Sequence, residues 1–157
     1  MNIINALFDL FHPGRAARLD AMQTIAFAAG SEQAPLARLL RQVQNAERTS
    51  GLRLGGGHAE ALRQHVEGAH PMQADRIVDT VAALKRQNQA TLETLMRNSA
   101  GTRPGSAHAN QIRATQQLIG AARQFPQDVR TAAAKPGREL AAALVGIGNP
   151  AKPGQGR

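Results

Sequence analysis

Apolar residues return every three or four positions through most of this chain, and nowhere do they settle into the two-residue alternation of a half-buried strand. Ile3, Ile4, Leu7, Phe8, Leu10 and Phe11 fall on one side of a helical projection and Asn2, Asn5 and Asp9 on the other. This predicts a short amphipathic helix ended by His12-Pro13-Gly14. A second helix over residues 15–29 carries Leu19, Met22, Ile25 and Phe27, with Gly30 where a left-handed C-cap residue belongs. Pro35 suits the first turn of a third helix whose Leu36, Leu39, Leu40 and Val43 repeat until Gly51. After the loop Leu52–Gly57, a short helix over residues 58–67 presents Leu62 and Val66 before Gly68 and Pro71 break it.

The longest periodic stretch, residues 72–98, carries the row Ile77, Val81, Leu84, Asn88, Thr91 or Leu92, and Leu95, in the four-and-three rhythm of packed helices. A polar residue in such a row either fixes register at a cost in stability or faces water, and the second is the simpler expectation for Asn88. A loop around Pro104-Gly105 leads to a helix over residues 107–124 with Ile112, Leu118, Ile119 and Ala122. Pro126 should kink or restart it, and Pro136-Gly137 should split the remainder into two short helical pieces with Leu140, Leu144 and Val145 able to dock on the bundle. The Gly- and Pro-rich end is expected to be disordered. The fold class is therefore all-α: one small bundle of about five to six helices over residues 15–145, a short N-terminal amphipathic helix in residues 1–14, and a flexible basic tail in residues 146–157.

Composition refines this picture. Alanine supplies 30 residues while Leu, Ile, Val and Phe together supply 32 of 157, so the core is expected to be thin and closely packed. Neither Trp nor Tyr nor Cys is present, which excludes disulfides and thiol chemistry. No apolar run approaches the roughly 20 residues that cross a bilayer. No basic residue precedes Arg15 and no cleavage motif comes after the first helix, so no cleavable signal peptide is expected. The expected address is the bacterial cytoplasm, or export by a route other than the general secretory one.

Charge is uneven. Residues 97–157 hold nine basic and two acidic side chains, whereas residues 1–96 hold ten and nine. A basic segment on a nearly neutral body attracts anionic partners before any specific contact forms. Arg113, Arg123, Arg130 and Arg138 are the candidate anion-binding residues, with nucleic acid as the possible ligand. Arg123 and Arg130 align in projection and Arg113 falls to the side, while Phe125 is the one aromatic nearby, so a stacking platform for single strands is missing.

Candidate chemistry is sparse. Asp75 and Asp79 lie one turn apart, but early-turn acids are more simply placed to favour a helix N-terminus. His58 and His65 would stand about 10 Å apart on one helix, too far to share a zinc ion with its Zn–N bonds of about 2.0 Å, and surface or helix-capping positions are the simpler expectation for these histidines. Gly55-Gly56-Gly57 could cradle a phosphate ahead of His58, yet the Lys and Ser or Thr of a P-loop are absent and a flexible connector fits better. No serine sits in a nucleophile elbow. The expectation is thus a non-enzymatic protein that needs no metal or cofactor and acts by binding another protein. Ile4, Leu7, Phe8 and Phe11 are its candidate docking residues; the segment has no cation to favour a membrane surface. In composition, this leader of about ten residues resembles the N-terminal export segments of bacterial secretion-system substrates, which would make the protein a small secreted effector or a secretion-associated factor.

Overall fold

The computed structural model describes Phe27, residues 30–98 and residues 103–148, with side chains given as far as Ala134. Four helices make up this region: α1 (Gln33–Ser50), α2 (Gly56–Val66), α3 (Ala74–Arg97) and α4 (Ala107–Gly148). The described residues form no strand, and none of their helices is long and apolar enough to cross a membrane. The all-α expectation holds, but the described bundle has four helices rather than five to six. The N-terminal amphipathic helix and nearly all of the helix expected over residues 15–29 lie outside the described residues, as do residues 149–157 of the tail.

Helix boundaries reflect local chemistry. Pro35 sits in the first turn of α1, where an N–H would have no helical acceptor. Gly51 ends α1 at φ 71°, its N–H donating to the Glu47 carbonyl at 2.8 Å. Gly30 takes the left-handed conformation expected of it, at φ 78°, and its N–H donates to the Phe27 carbonyl at 3.0 Å.

α4 is the main departure from expectation. It runs unbroken for 42 residues through Pro126, Pro136 and Gly137, where a restart and a split were expected, and it includes residues 146–148 of the expected tail. Proline in a helix loses one backbone bond and crowds the preceding turn. At Pro126 the neighbours Phe125 and Val129 are both fully buried, and packing on either side of the proline outweighs the missing bond.

α4 is the spine of the bundle. It packs along both α1 and α3, while α2 bridges α1 and α3 on the far side, so the four helices form a ring in the order α1, α2, α3, α4. The Gln111 amide donates to the Ser50 carbonyl, and a ring nitrogen of His108 meets the Leu95 carbonyl at 2.9 Å. These contacts set the start of α4 beside the ends of α1 and α3, so both run antiparallel to it.

The core draws Leu36, Leu39 and Val43 from α1, Leu62 from α2, Ile77, Val81 and Leu84 from α3, and Leu118, Ala122, Phe125 and Val129 from α4. Phe27 closes one end, its ring centroid 6.3 Å from that of Phe125. Ala46, Ala114 and Ala122 bring helix backbones close while burying little area, as the alanine content implied.

Candidate functional site

Beside the core, α1 and α2 leave an open groove of about 510 Å³ between them. Its floor is apolar, made by Ala37, Leu40 and Val43 of α1 with Ala59 and Val66 of α2. Arg41, Gln44 and Glu47 rise along one edge, Glu60, Arg63 and Glu67 along the other, and Arg53 stands at the loop end. The volume lies within the usual range for small binding sites.

Gly55 sets the spacing of the two helices. A Cβ on it would fall 2.6 Å from Val43 Cγ1 and 2.6 Å from Ala59 Cβ, so only glycine lets the start of α2 approach α1 this closely. Gly56 holds φ 52° against the Gln87 amide. The Gly55 N–H donates to Glu47 Oε2 at 3.4 Å, so a carboxylate of this chain already lies at the start of α2. Gly55 is thus a packing element, and Gly56 and Gly57 already belong to α2 rather than to a flexible connector.

The groove's carboxylates are occupied. Arg63 donates to Glu60 and, at 2.9 Å, to Glu67. Hydrogen bonds from Arg63, helped by its charge, hold the Glu60 carboxyl below the usual glutamate value of 4.5, and donating to Glu60 and Glu67 pushes the Arg63 guanidinium up. Arg41 and Arg53 are exposed and make no ion pair among the described residues. With its acids engaged and these two cations outside any such pair, the groove presents an apolar floor beside positive charge.

At the groove's other end, His65 and Glu32 are buried together, although His65 was expected at the surface or at a helix cap. The Met72 N–H donates to His65 Nδ1 at 2.9 Å, which leaves the proton of the neutral ring on Nε2, facing Glu32 Oε1 at 3.4 Å. One imidazole thereby ties the start of α1 to the end of α2 and the approach to α3. Glu32 Oε2 is buried with no hydrogen-bond partner. His58 is half-buried and His70 exposed, and no three His, Cys, Asp or Glu side chains are grouped to hold a metal among the described residues.

Asn88 also departs from its water-facing expectation. It is buried, with Nδ2 donating to the Leu54 carbonyl at 3.0 Å and to the Leu84 carbonyl at 2.8 Å, and it pins the α1–α2 loop to α3.

The basic residues are not gathered into one surface. Arg123 and Arg130 lie along one strip of α4, Arg130 donating to Gln127, while Arg113 is exposed about 80° away around the helix. Arg138 is in α4 but beyond the described side chains. Lys85 of α3, which charge counting along α4 missed, joins Arg123 at a cleft of about 100 Å³. Ile4, Leu7, Phe8 and Phe11 lie outside the described residues. No protein-family model, curated protein or solved structure matches the chain.

Proposed function

We propose that this is a non-enzymatic binding protein whose α1–α2 groove receives an apolar-faced, acidic helix from another protein. The observation that carries this reading is the apolar floor flanked by Arg41 and Arg53, the groove cations without an ion pair among the described residues. Helix-in-groove recognition uses apolar anchors at i, i+3, i+4 and i+7, and the floor is long enough for two helical turns. A cationic helix would meet like charge, so discrimination is expected to rest on sign. The setting that fits composition and the leader's resemblance is a small bacterial effector or secretion-associated factor, acting in the bacterial cytoplasm or after export by a non-general route. A cysteine-free chain with a thin core suits passage through a narrow channel.

The test is an NMR titration of the full chain with two designed amphipathic helices that share a leucine face and differ only in Glu or Lys on the polar face. The reading expects the acidic peptide to shift the Leu40, Gln44 and Ala59 amides, with the shifts lost in Arg41→Glu/Arg53→Glu. Equal binding of both peptides, or shifts confined to another face, would refute it.

A second reading, anion binding by Arg113, Arg123, Arg130 and Arg138, draws support from the pairing of Lys85 with Arg123 at one cleft. Nucleic acid would then bind with a steep salt dependence. Titration with random duplex DNA at low and physiological salt checks this, and absence of binding at low salt eliminates it.

A further inference from the structure

We infer that in the free protein the α1–α2 groove is held by the chain's own residues 2–12, so that a partner helix must displace an internal one; this rests on the groove being the binding site. Three observations lead to that occupant. Length is the first: α2, which forms one side of the groove, has 11 residues, and residues 2–12 as a helix would span the same length of about 16 Å. Pattern is the second: Ile4, Leu7, Phe8 and Phe11 stand at i, i+3, i+4 and i+7, the anchor spacing of helix-in-groove binding, while Asn2, Asn5 and Asp9 stay on the opposite side. Between residues 2 and 12 there is one carboxylate and neither Lys nor Arg, so nothing in the segment repels Arg41 or Arg53.

Reach is the third. The described chain enters the bundle at Phe27, and Glu32, five residues on, meets His65 at the groove end marked by Val66 and Glu67. Residues 13–26 separate the segment from that entry, and even with the helix expected from residue 15 they cover about 18 Å, more than the roughly 16 Å of α2 along the groove. A tethered ligand binds at a high effective concentration, so a weak apolar contact is enough to keep the groove filled. Displacement then reduces the apparent affinity for an outside helix in proportion to the fraction of open groove.

The chain has no cysteine, so one thiol can be placed at will. Asn5→Cys, on the segment's polar side, carries a nitroxide in the otherwise intact full chain. The expected result is about twofold or greater loss of signal at the Leu40, Gln44, Ala59 and Arg63 amides, from a groove occupied most of the time. Undiminished groove amides overturn the inference. So does broadening seen only when labelled and isotope-enriched molecules are mixed, because the occupant is then a second copy. In a parallel arm, Phe8→Asp should expel the segment and tighten binding of the acidic peptide about tenfold if the groove is nine-tenths self-occupied. Equal peptide affinity with and without Phe8→Asp overturns self-occupation and leaves the binding reading standing. Failure of any peptide to bind Phe8→Asp, with its bundle still folded, defeats the binding reading itself.

Discussion

Replacing Asn88 asks whether one buried amide locks the α1–α2 loop onto α3. Its Nδ2 serves two carbonyls, and the two losses are unequal. The Leu84 carbonyl is four residues back in the same helix and keeps its backbone partner, whereas the Leu54 carbonyl keeps only the marginal Gln87 contact at 3.5 Å. Leaving a buried carbonyl unpaired costs about 1–3 kcal/mol. Against this, Asn88 Oδ1 is itself buried without a partner, and removing it returns about 1 kcal/mol. Asn88→Ala should therefore cost about 1–2 kcal/mol, a fall in melting temperature of about 2–8 °C for a chain of this size. Asn88→Asp is the harsher test, since it turns carboxylate oxygens toward the Leu54 and Leu84 carbonyls where donors stood, and should cost about 3 kcal/mol or more. Without Trp or Tyr, unfolding is best monitored by circular dichroism at 222 nm in a urea series. If Asn88→Ala and Asn88→Asp both lie within about 0.5 kcal/mol of the native chain, the side chain faces water and the locking argument is wrong.

The same contacts set three further outcomes. Gly55→Ala should destabilise by about 1–3 kcal/mol because its methyl has no room beside Val43 and Ala59, whereas Gly57→Ala, with open space, should be neutral or stabilising by up to about 1 kcal/mol; paired urea curves compare them. His65→Ala should cost about 2–4 kcal/mol by stripping the Met72 N–H of its acceptor and Glu32 of its facing donor, and hydrogen exchange at Met72 should accelerate with it. Because Arg63 depresses the Glu60 carboxyl, that pair supports the folded state above the ordinary value of 4.5 and fades as pH falls through the lower folded value; carboxyl NMR should show Glu60 returning to the ordinary range in Arg63→Gln.

Periodicity carries most of what the sequence discloses here. The rows Leu36-Leu39-Val43 and Ile77-Val81-Leu84 are buried as their spacing implies, and Gly51 terminates α1 because left-handed backbone at that point is inexpensive only for glycine. Pro126 and Pro136 misled because local rules weigh one lost backbone bond but not the tertiary packing around it. Asn88 and His65 misled for a related reason: their partners are the Leu54 carbonyl, the Met72 N–H and Glu32, and backbone groups leave no mark in side-chain identity. The groove was invisible for the same reason. Leu40 and Val66 look like ordinary core residues, and only the packing of α2 shows that both remain half-buried.

The same alanine content that thins the core also opens the groove. Ala37 and Ala59 line its floor with single methyl groups, and Gly55 brings the start of α2 close to α1 while Glu32 and His65 join the other end, so the helices are held together at both ends without side chains long enough to fill the space between. Larger residues would have closed that space and added buried area at about 25 cal/mol per Å². The stability forgone is consistent with a surface kept for another helix, because a binding floor must remain partly unsatisfied in the free state to gain anything when it is covered. The polar rim keeps such a floor soluble. Glu60 and Glu67 share the one guanidinium of Arg63 and keep one net negative charge along α2, so under the proposed function any preference of sign falls to Arg41 and Arg53, which stand outside these pairs.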